Sequence, residues 1–150
     1  MVTKRARVVF GLVAALVVIG AAYSASEEGA SITYEVAAVK GKLLQEDPLP
    51  QSRLHSGDQA TPGSLLRTGW RSSAEIVALN EGGRFTLGSR TRVRLAKDRP
   101  GVLLEVEKGR LRAVFDKLTT GPTRDRNVVT PSAILAVRGT EYGVAVSKSG

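Results

Sequence analysis

Residue types that could support catalysis are scarce in this chain. Among its 150 residues there is one histidine, His55, and no cysteine, which argues against a zinc site built from the usual Cys and His ligands. His55 lies beside a predicted tight turn at Ser56-Gly57-Asp58, where Gly57 can adopt positive φ and Asp58 can bond its neighbouring backbone. No serine or cysteine motif accompanies it. We therefore expect a surface histidine and not a general base.

Glu105 and Glu107 are the other candidates for acid–base chemistry, because residues two apart share one face of a strand. The hairpin predicted for this region places them opposite Arg112 and Arg110. A facing guanidinium keeps a carboxylate ionised, which is the wrong state for a general acid. The sequence therefore predicts neither an enzyme nor a cofactor.

Five arginines on predicted outward strand faces form the largest charged set: Arg84, Arg92, Arg94, Arg110 and Arg112. They could bind an anionic envelope polymer or lipid headgroups, or they could line an ordinary solvated face, which we favour. Trp70, the single tryptophan, is expected to be a core or half-buried anchor rather than a platform for sugar stacking. Predicted export and the few aromatic residues argue against nucleic acid as a partner.

The first 25 residues have the organisation of an export signal. Residues 1–7 carry three positive charges, and residues 8–22 are apolar and uncharged. Ala22-Tyr23-Ser24 then offers small residues before a cleavage site at Ala25. The alternative is an uncleaved membrane anchor helix, since spans begin at about 18 apolar residues. In either case the basic end stays in the cytoplasm and the remainder is exported, to the periplasm or cell surface, touching the membrane only through this segment.

Beyond a small, polar tether at residues 26–31, residues 32–150 show the pattern of short strands and turns. Apolar residues alternate in 74–79, 84–87 and 92–95, and Asn80-Glu81-Gly82-Gly83 has the composition of a hairpin loop. No helical periodicity is visible after the leader. We therefore predict one all-β domain.

The clearest predicted hairpin spans Val102 to Phe115, with Lys108-Gly109 as its turn. This pairing puts apolar side chains on one face and two glutamate–arginine pairs on the other. Each such pair contributes about 0.2–1 kcal/mol. One face should therefore be buried and the other solvated.

The last apolar stretch, residues 127–146, predicts a strand. Thr130-Pro131 favours extended geometry, and the valines that follow have high β propensity. Arg138-Gly139-Thr140 interrupts the run, so Gly139 predicts a bulge. Arg138 must then either reach solvent at the bulge or bond to carbonyls or a carboxylate partner, because an unpaired buried charge is prohibitive. We expect Asp58 to be that partner.

These motifs resemble those of FecR-type domains. The closing pattern Val129-Thr130-Pro131-x-Ala133-x-x-x-Val137-Arg138-Gly139-Thr140-x-Tyr142-x-Val144 is similar to the end of such a domain. Gly57-Asp58 and Thr68-Gly69 are similar to its central motif. The resemblance covers roughly residues 36–146 and implies a compact, solenoid-like stack of short antiparallel strands, with a two-sheet β-sandwich as the alternative. It also implies a structural role for the motif residues Gly57, Asp58, Thr68, Gly69, Thr130, Pro131, Arg138, Gly139 and Thr140.

FecR-type proteins are best known for regulating sigma factors, through a cytoplasmic region that precedes the membrane segment. Here seven residues precede the apolar run, so we carry over only a non-catalytic role in protein–protein interaction, signalling or scaffolding in the envelope. The alternative is a cell-wall or polysaccharide-binding domain that uses Trp70 and the arginines.

The predicted strand at 134–146 is also the expected partner surface. In FecR-type proteins a further strand usually follows, so here the edge at Ile134, Ala136, Tyr142 and Val144 is expected to lack an in-chain partner. Such an edge accepts a strand from an envelope protein or from a second copy of the chain. The alternative is that Thr33 to Val39 covers it.

Overall fold

The computed structural model describes residues 31–116, 125–132, 134–136 and 141–146, and this part of the chain is all-β. Its twelve strands are β1 (Tyr34–Lys40), β2 (Leu43–Asp47), β3 (Ser52–Leu54), β4 (Gln59–Ala60), β5 (Leu65–Thr68), β6 (Ser73–Ala78), β7 (Gly83–Leu87), β8 (Arg92–Leu95), β9 (Val102–Phe115), β10 (Asn127–Val129), β11 (Ile134–Ala136) and β12 (Glu141–Val146). Over the same ranges, no helix is long and apolar enough to cross a membrane. The predicted leader at residues 1–25 lies outside the described residues.

Long segments of chain, each bent once, build most of the sheet. β1 continues into β2, β3 into β4, β5 into β6 and β7 into β8, while β9 is a single strand that crosses the bend. Neighbouring segments run antiparallel, so that β6 pairs with β7 on one side of the bend and β5 pairs with β8 on the other. The strand order β3-β2-β5-β8-β9-β7-β6-β1-β4 begins and ends in one segment, residues 52–60. The sheet is therefore nearly closed, like a barrel.

This path confirms the all-β, antiparallel expectation and revises its finer form. A solenoid would stack repeats along an axis, whereas here the same segments supply strands to both sides of one bend. The alternative, a sandwich of two separate sheets, is revised in the same way, because the two layers belong to one continuous sheet. Only β10 departs from the antiparallel pattern among the described strands, because it pairs parallel to the first half of β9.

Glycines lie where the segments bend, along a row that we call the corner line. Its glycines are Gly41, Gly57, Gly69, Gly88 and Gly109. Gly109 shows why the small residue is needed. Its φ is +104°, and a Cβ added there would lie 2.5 Å from the Cα of Thr91. A side chain at this position would therefore be strained and would collide with neighbouring backbone.

The hairpin predicted for residues 102–115 is wrong, because Lys108-Gly109 lies within the continuous strand β9. Leu104 and Val106 are buried before Gly109, and Leu111 and Ala113 are buried after it. The inward positions thus change from even to odd at the glycine. A two-residue turn and a bulge both produce such a change. In β9 the change comes from a bulge-like irregularity at Gly109, so that both halves of the one strand direct apolar side chains into the same core.

The partners of β9 replace the predicted glutamate–arginine pairs. Glu105 faces Arg94 of β8, and Arg112 faces Thr86 of β7 on one edge and Gly143 of β12 on the other. The buried Thr91 supports the bend, since its Oγ1 accepts a hydrogen bond from the amide of Arg110 at 3.0 Å and donates to the same residue's carbonyl at 3.1 Å.

The predicted strand at 134–146 is divided into β11 and β12. β11 pairs with β10, whereas β12 pairs with the second half of β9. Among the described residues, each of the two strands is paired along one edge only. The alternative in which Thr33 to Val39 covers the edge is wrong, because β1 pairs with β4 and β6. Arg138, Gly139 and Thr140 lie outside the described residues.

Side chains from both sides of the bend fill one core. The alternation predicted for 74–79 is confirmed, since Ala74, Ile76 and Ala78 are buried. Phe85 meets Phe115 edge to face, with ring centroids 5.7 Å apart. The same buried cluster includes Leu66 and Val93 from the other side of the bend, and it therefore ties the two sides of the sheet together.

Candidate functional site: a basic groove on the corner line

The Thr68-Gly69 pair lies at the bend between β5 and β6. Thr68 is 1% exposed, and its Oγ1 donates to the carbonyl of Gly88 at 2.6 Å and accepts from the amide of Thr91 at 2.9 Å. The amide of Gly69 donates to the carbonyl of Lys42 at 3.0 Å. These bonds join three neighbouring segments where all of them bend.

The connections 69–72 and 88–91 interlock around this pair. The amide of Arg90 donates to the carbonyl of Gly69 at 3.1 Å, and the amide of Arg71 donates to Ser89 Oγ at 2.9 Å. Arg71 and Arg90 both have left-handed backbones, with φ of 52° and 54°. This conformation is uncommon outside glycine and persists where the surroundings enforce it, often at binding sites. The two arginines, and Trp70 next to Arg71, are thus held on ordered bends.

A groove of about 420 Å³ lies over this part of the corner line, and we call it the basic groove. It is lined by Lys42, Leu44, Arg67, Thr68, Gly69, Trp70, Arg90, Arg92 and Lys108. Strand register explains the clustering, because Arg67 of β5 faces Arg92 of β8, and Arg92 faces Lys108 of β9. Three basic side chains therefore follow one another across adjacent strands.

Carboxylates neutralise only part of this charge. Glu46 lies 2.8 Å from Arg67 and 3.1 Å from Arg92, and Glu107 lies 3.5 Å from Arg92. Within the part of the chain that the structure describes, no carboxylate is within ion-pair distance of Lys42, Arg90 or Lys108. The groove therefore keeps an excess of positive charge.

Trp70 stands at the side of the basic groove and is 66% exposed, so the expectation of a core or half-buried anchor is wrong. The reason is its place in the connection between β5 and β6, where the buried polar groups of Thr68 and Ser72 occupy the inner side. The guanidinium carbon of Arg71 lies 4.8 Å from the ring centroid, a cation–π contact. The ring is thus oriented, yet most of it meets solvent.

The predicted turn at residues 55–58 is confirmed. Gly57 has a φ of +91°, and Asp58 Oδ2 accepts a hydrogen bond from the amide of His55 at 2.7 Å. The His55 side chain is 69% exposed, and its ring nitrogen lies 3.6 Å from the same carboxylate. The carbonyl of Asp58 also accepts from the amide of Val36 at 2.8 Å. The expected pairing of Asp58 with Arg138 involves a residue outside the described part.

Other candidate residues are dispersed over the molecule. Glu107 lies near Arg92 and Arg94, whereas Glu105 pairs with Arg99 at 3.3 Å, so the two carboxylates have separate partners. Across the ranges described, no three His, Cys, Asp or Glu side chains are placed to hold a metal ion. The structure therefore does not bring these carboxylates into one site.

None of the C-terminal candidates that the structure describes is among the residues that line the groove. Thr130 is buried, and Pro131 is exposed at the end of β10. Ile134 is 68% exposed on β11, and Val144 is buried on β12. Ala136 and Tyr142 belong to these same two strands.

The groove as a unit was missed by sequence reasoning, although a local signal exists. Lys42 follows Gly41, Trp70 follows Gly69, and Lys108 precedes Gly109. A basic or aromatic residue thus stands next to several corner glycines. Without knowledge that these glycines line up in space, the signal could not be combined.

Residues 64–150 match the FecR protein family. Because the match covers more than half of the chain, the chain belongs to this family. Membership indicates a signalling-related module of the cell envelope. Neither the curated proteins nor the solved structures gave a match. The matched range includes both interlocked connections and Gly109, and therefore most of the groove.

Proposed function

We propose that this domain is a non-catalytic binding module of the cell envelope, and that it holds an anionic partner in the basic groove during signalling or scaffolding. The observation that carries the proposal is the groove itself. Five basic side chains and an exposed tryptophan surround a cavity of about 420 Å³. Three of the five, Lys42, Arg90 and Lys108, have no carboxylate partner among the described residues.

Support for a non-catalytic role comes from the groove's acidic groups and from the family. Glu46 and Glu107 are the carboxylates beside the groove, and both contact arginines. Their carboxylate oxygens are therefore already engaged in ion pairs within the domain. FecR proteins are also generally regulators of signalling and not enzymes. Placement in the envelope rests on the family and on the predicted export signal at residues 1–25.

Trp70 makes the proposal testable, because it is the single tryptophan and its fluorescence reports directly on the groove. Separated protein, glycan and lipid fractions of an envelope are added, and quenching of Trp70 by iodide is measured. One fraction should protect the ring. Arg90→Glu should abolish the protection, whereas Arg84→Glu, which makes the same charge change outside the groove, should not. If every fraction leaves the quenching unchanged, the groove is not the binding surface.

A second candidate function is strand addition at β12. Within the described residues β12 is paired along one edge, to β9, which leaves a row of backbone groups on its other edge. Such a row can accept a strand from a protein partner or from a second copy. Amide hydrogen exchange of the monomer tests this candidate. Slow exchange at every amide of residues 141–146 would show an edge that is already paired.

A further inference from the structure

We propose that the ligand of the basic groove is an anionic polysaccharide, whose sugar rings carry carboxylate or phosphate groups. This inference rests on the proposed binding function of the groove and specifies the chemical class of its ligand. The geometry points to this class through the spacing of the charges, the exposed ring of Trp70 and the pairing of the strands below the groove.

The basic side chains of the groove form a row in which neighbouring residues are separated by the distance between adjacent strands. Arg67, Arg92 and Lys108 face one another in sequence on β5, β8 and β9. Adjacent strands lie about 4.8 Å apart, so this row presents one cation at each such interval. That interval is comparable to the length of a sugar ring in a polymer. A chain laid across the strands would therefore bring one anionic ring to each basic side chain.

Trp70 supplies a surface for a ring. It is 66% exposed at the side of the groove, and Arg71 lies 4.8 Å from its ring centroid. The flat apolar face of an aromatic ring packs against the carbon–hydrogen face of a sugar, while its edge remains wet. Because Arg71 and Arg90 flank it on interlocked connections, the ring is already oriented before binding. Preorganisation of this kind lowers the entropic cost of holding a ligand.

Strand pairing argues against an acidic peptide. β2, β5 and β8 are each bonded to a neighbour on both edges, and β9 is bonded on both edges as well. An extended peptide therefore finds no open backbone edge beneath the groove and would have to bind through side chains alone. A stiff polymer loses less conformational entropy when it is held by side chains.

A membrane surface is the other alternative ligand, and the positions of the exposed apolar side chains argue against it. Trp70 is one of four large exposed apolar side chains among the described residues, and the others are Leu49, Leu79 and Ile134. None of those three lines the groove. Lipid insertion would require several apolar side chains beside the basic ones. The groove instead combines one ring with many cations.

The test uses the full chain and the fluorescence of Trp70. Four probes are titrated: a short oligomannuronate, a neutral oligomannoside of equal length, a linear polyphosphate of equal charge and an acidic peptide of equal charge. Vesicles with an anionic lipid form a fifth arm. We expect the oligomannuronate to bind most tightly and to protect Trp70 from iodide. Raised salt should weaken this binding, because exposed charges are screened.

Matched variants locate the contacts. Trp70→Ala, followed by calorimetry, should weaken oligomannuronate binding about tenfold, the effect of losing one aromatic contact. Leu79→Ala removes an exposed apolar side chain elsewhere and should change nothing. Arg90→Gln should weaken binding by up to about fivefold, and Arg84→Gln should not. Glu46→Gln should tighten binding, since Arg67 and Arg92 lose their intramolecular partner.

Different outcomes would refute the proposed ligand class and the proposed binding function. Equal binding of polyphosphate and oligomannuronate, both insensitive to Trp70→Ala, would overturn the polysaccharide while leaving an anion-binding groove. Preference for the peptide or for vesicles would do the same in favour of a protein or a membrane partner. Weaker binding by Glu46→Gln would refute the placement of the polymer on the arginine row. If no probe and no envelope fraction protected Trp70 from iodide, the proposed binding function itself would be overturned.

Discussion

Substitution of Gly109 tests how β9 crosses the bend. In the structure Gly109 has a φ of +104°, and a Cβ would lie 2.5 Å from the Cα of Thr91. Gly109→Ala should therefore meet two penalties. Left-handed strain in a non-glycine residue costs about 1–3 kcal/mol. Forcing atoms into a packed site costs about 1–3 kcal/mol more.

Gly57→Ala is the matched control for this substitution. Its φ of +91° imposes similar strain, but nothing lies within 4 Å of an added Cβ. Both alanines also stiffen the unfolded chain, which returns about 0.4–1 kcal/mol. We therefore expect a loss of about 1–5.5 kcal/mol for Gly109→Ala and less than about 2.5 kcal/mol for Gly57→Ala.

Equilibrium urea unfolding, followed by far-ultraviolet circular dichroism, measures both losses in one experiment. Thr91 decides the interpretation, because the collision is with its backbone and no side-chain rotation can relieve it. If residues 108–109 formed an exposed turn instead, an alanine there would have free space. Equal free-energy losses for Gly109→Ala and Gly57→Ala would therefore refute the continuous strand.

Three further predictions test other parts of the fold. Burial raises the pKa of Tyr34 above its ordinary value of 10.0, so the folded protein holds this proton more tightly than the unfolded chain. Stability should therefore fall as the pH rises above 10.0, and Tyr34→Phe should remove a slope of up to about 1.4 kcal/mol per pH unit in alkaline urea titrations. Leu104→Ala should cost about 2–5 kcal/mol, and Glu105→Ala less than about 1 kcal/mol, with equal losses arguing against the burial pattern of β9. Thr91→Val strips the amide of Arg110 of its hydroxyl partner and should cost about 1–3 kcal/mol by thermal unfolding, whereas Thr91→Ser should retain most of the stability.

Local patterns predicted much of the secondary structure. Alternation of apolar residues located β6, β7 and β8 and their buried faces, because successive side chains in a strand point to opposite sides. The turn at Gly57-Asp58 was also predictable, since glycine permits positive φ and aspartate bonds its own turn. The two motifs were sufficient to predict the family.

The same patterns could not decide the course of residues 102–115. The inward-facing positions change from even-numbered to odd-numbered residues at Gly109, and a tight turn and a bulge explain this change equally well. The choice depended on β7 and β8, which lie along one edge of β9 on either side of the bend. Their connection places Thr91 against Gly109, and that contact is distant in sequence. No local signal could show it.

The basic groove required the same long-range information. The sequence by itself determined that the chain is all-β, that it belongs with FecR domains, and which faces of several strands are buried, because these follow from local periodicity and motifs. Tertiary structure alone brought Lys42, Arg90 and Lys108 together beside Trp70 and exposed its ring. Each of these residues stands on a different bent segment. Only the pairing of the segments aligns their bends, and so the charge of the groove is a property of the fold.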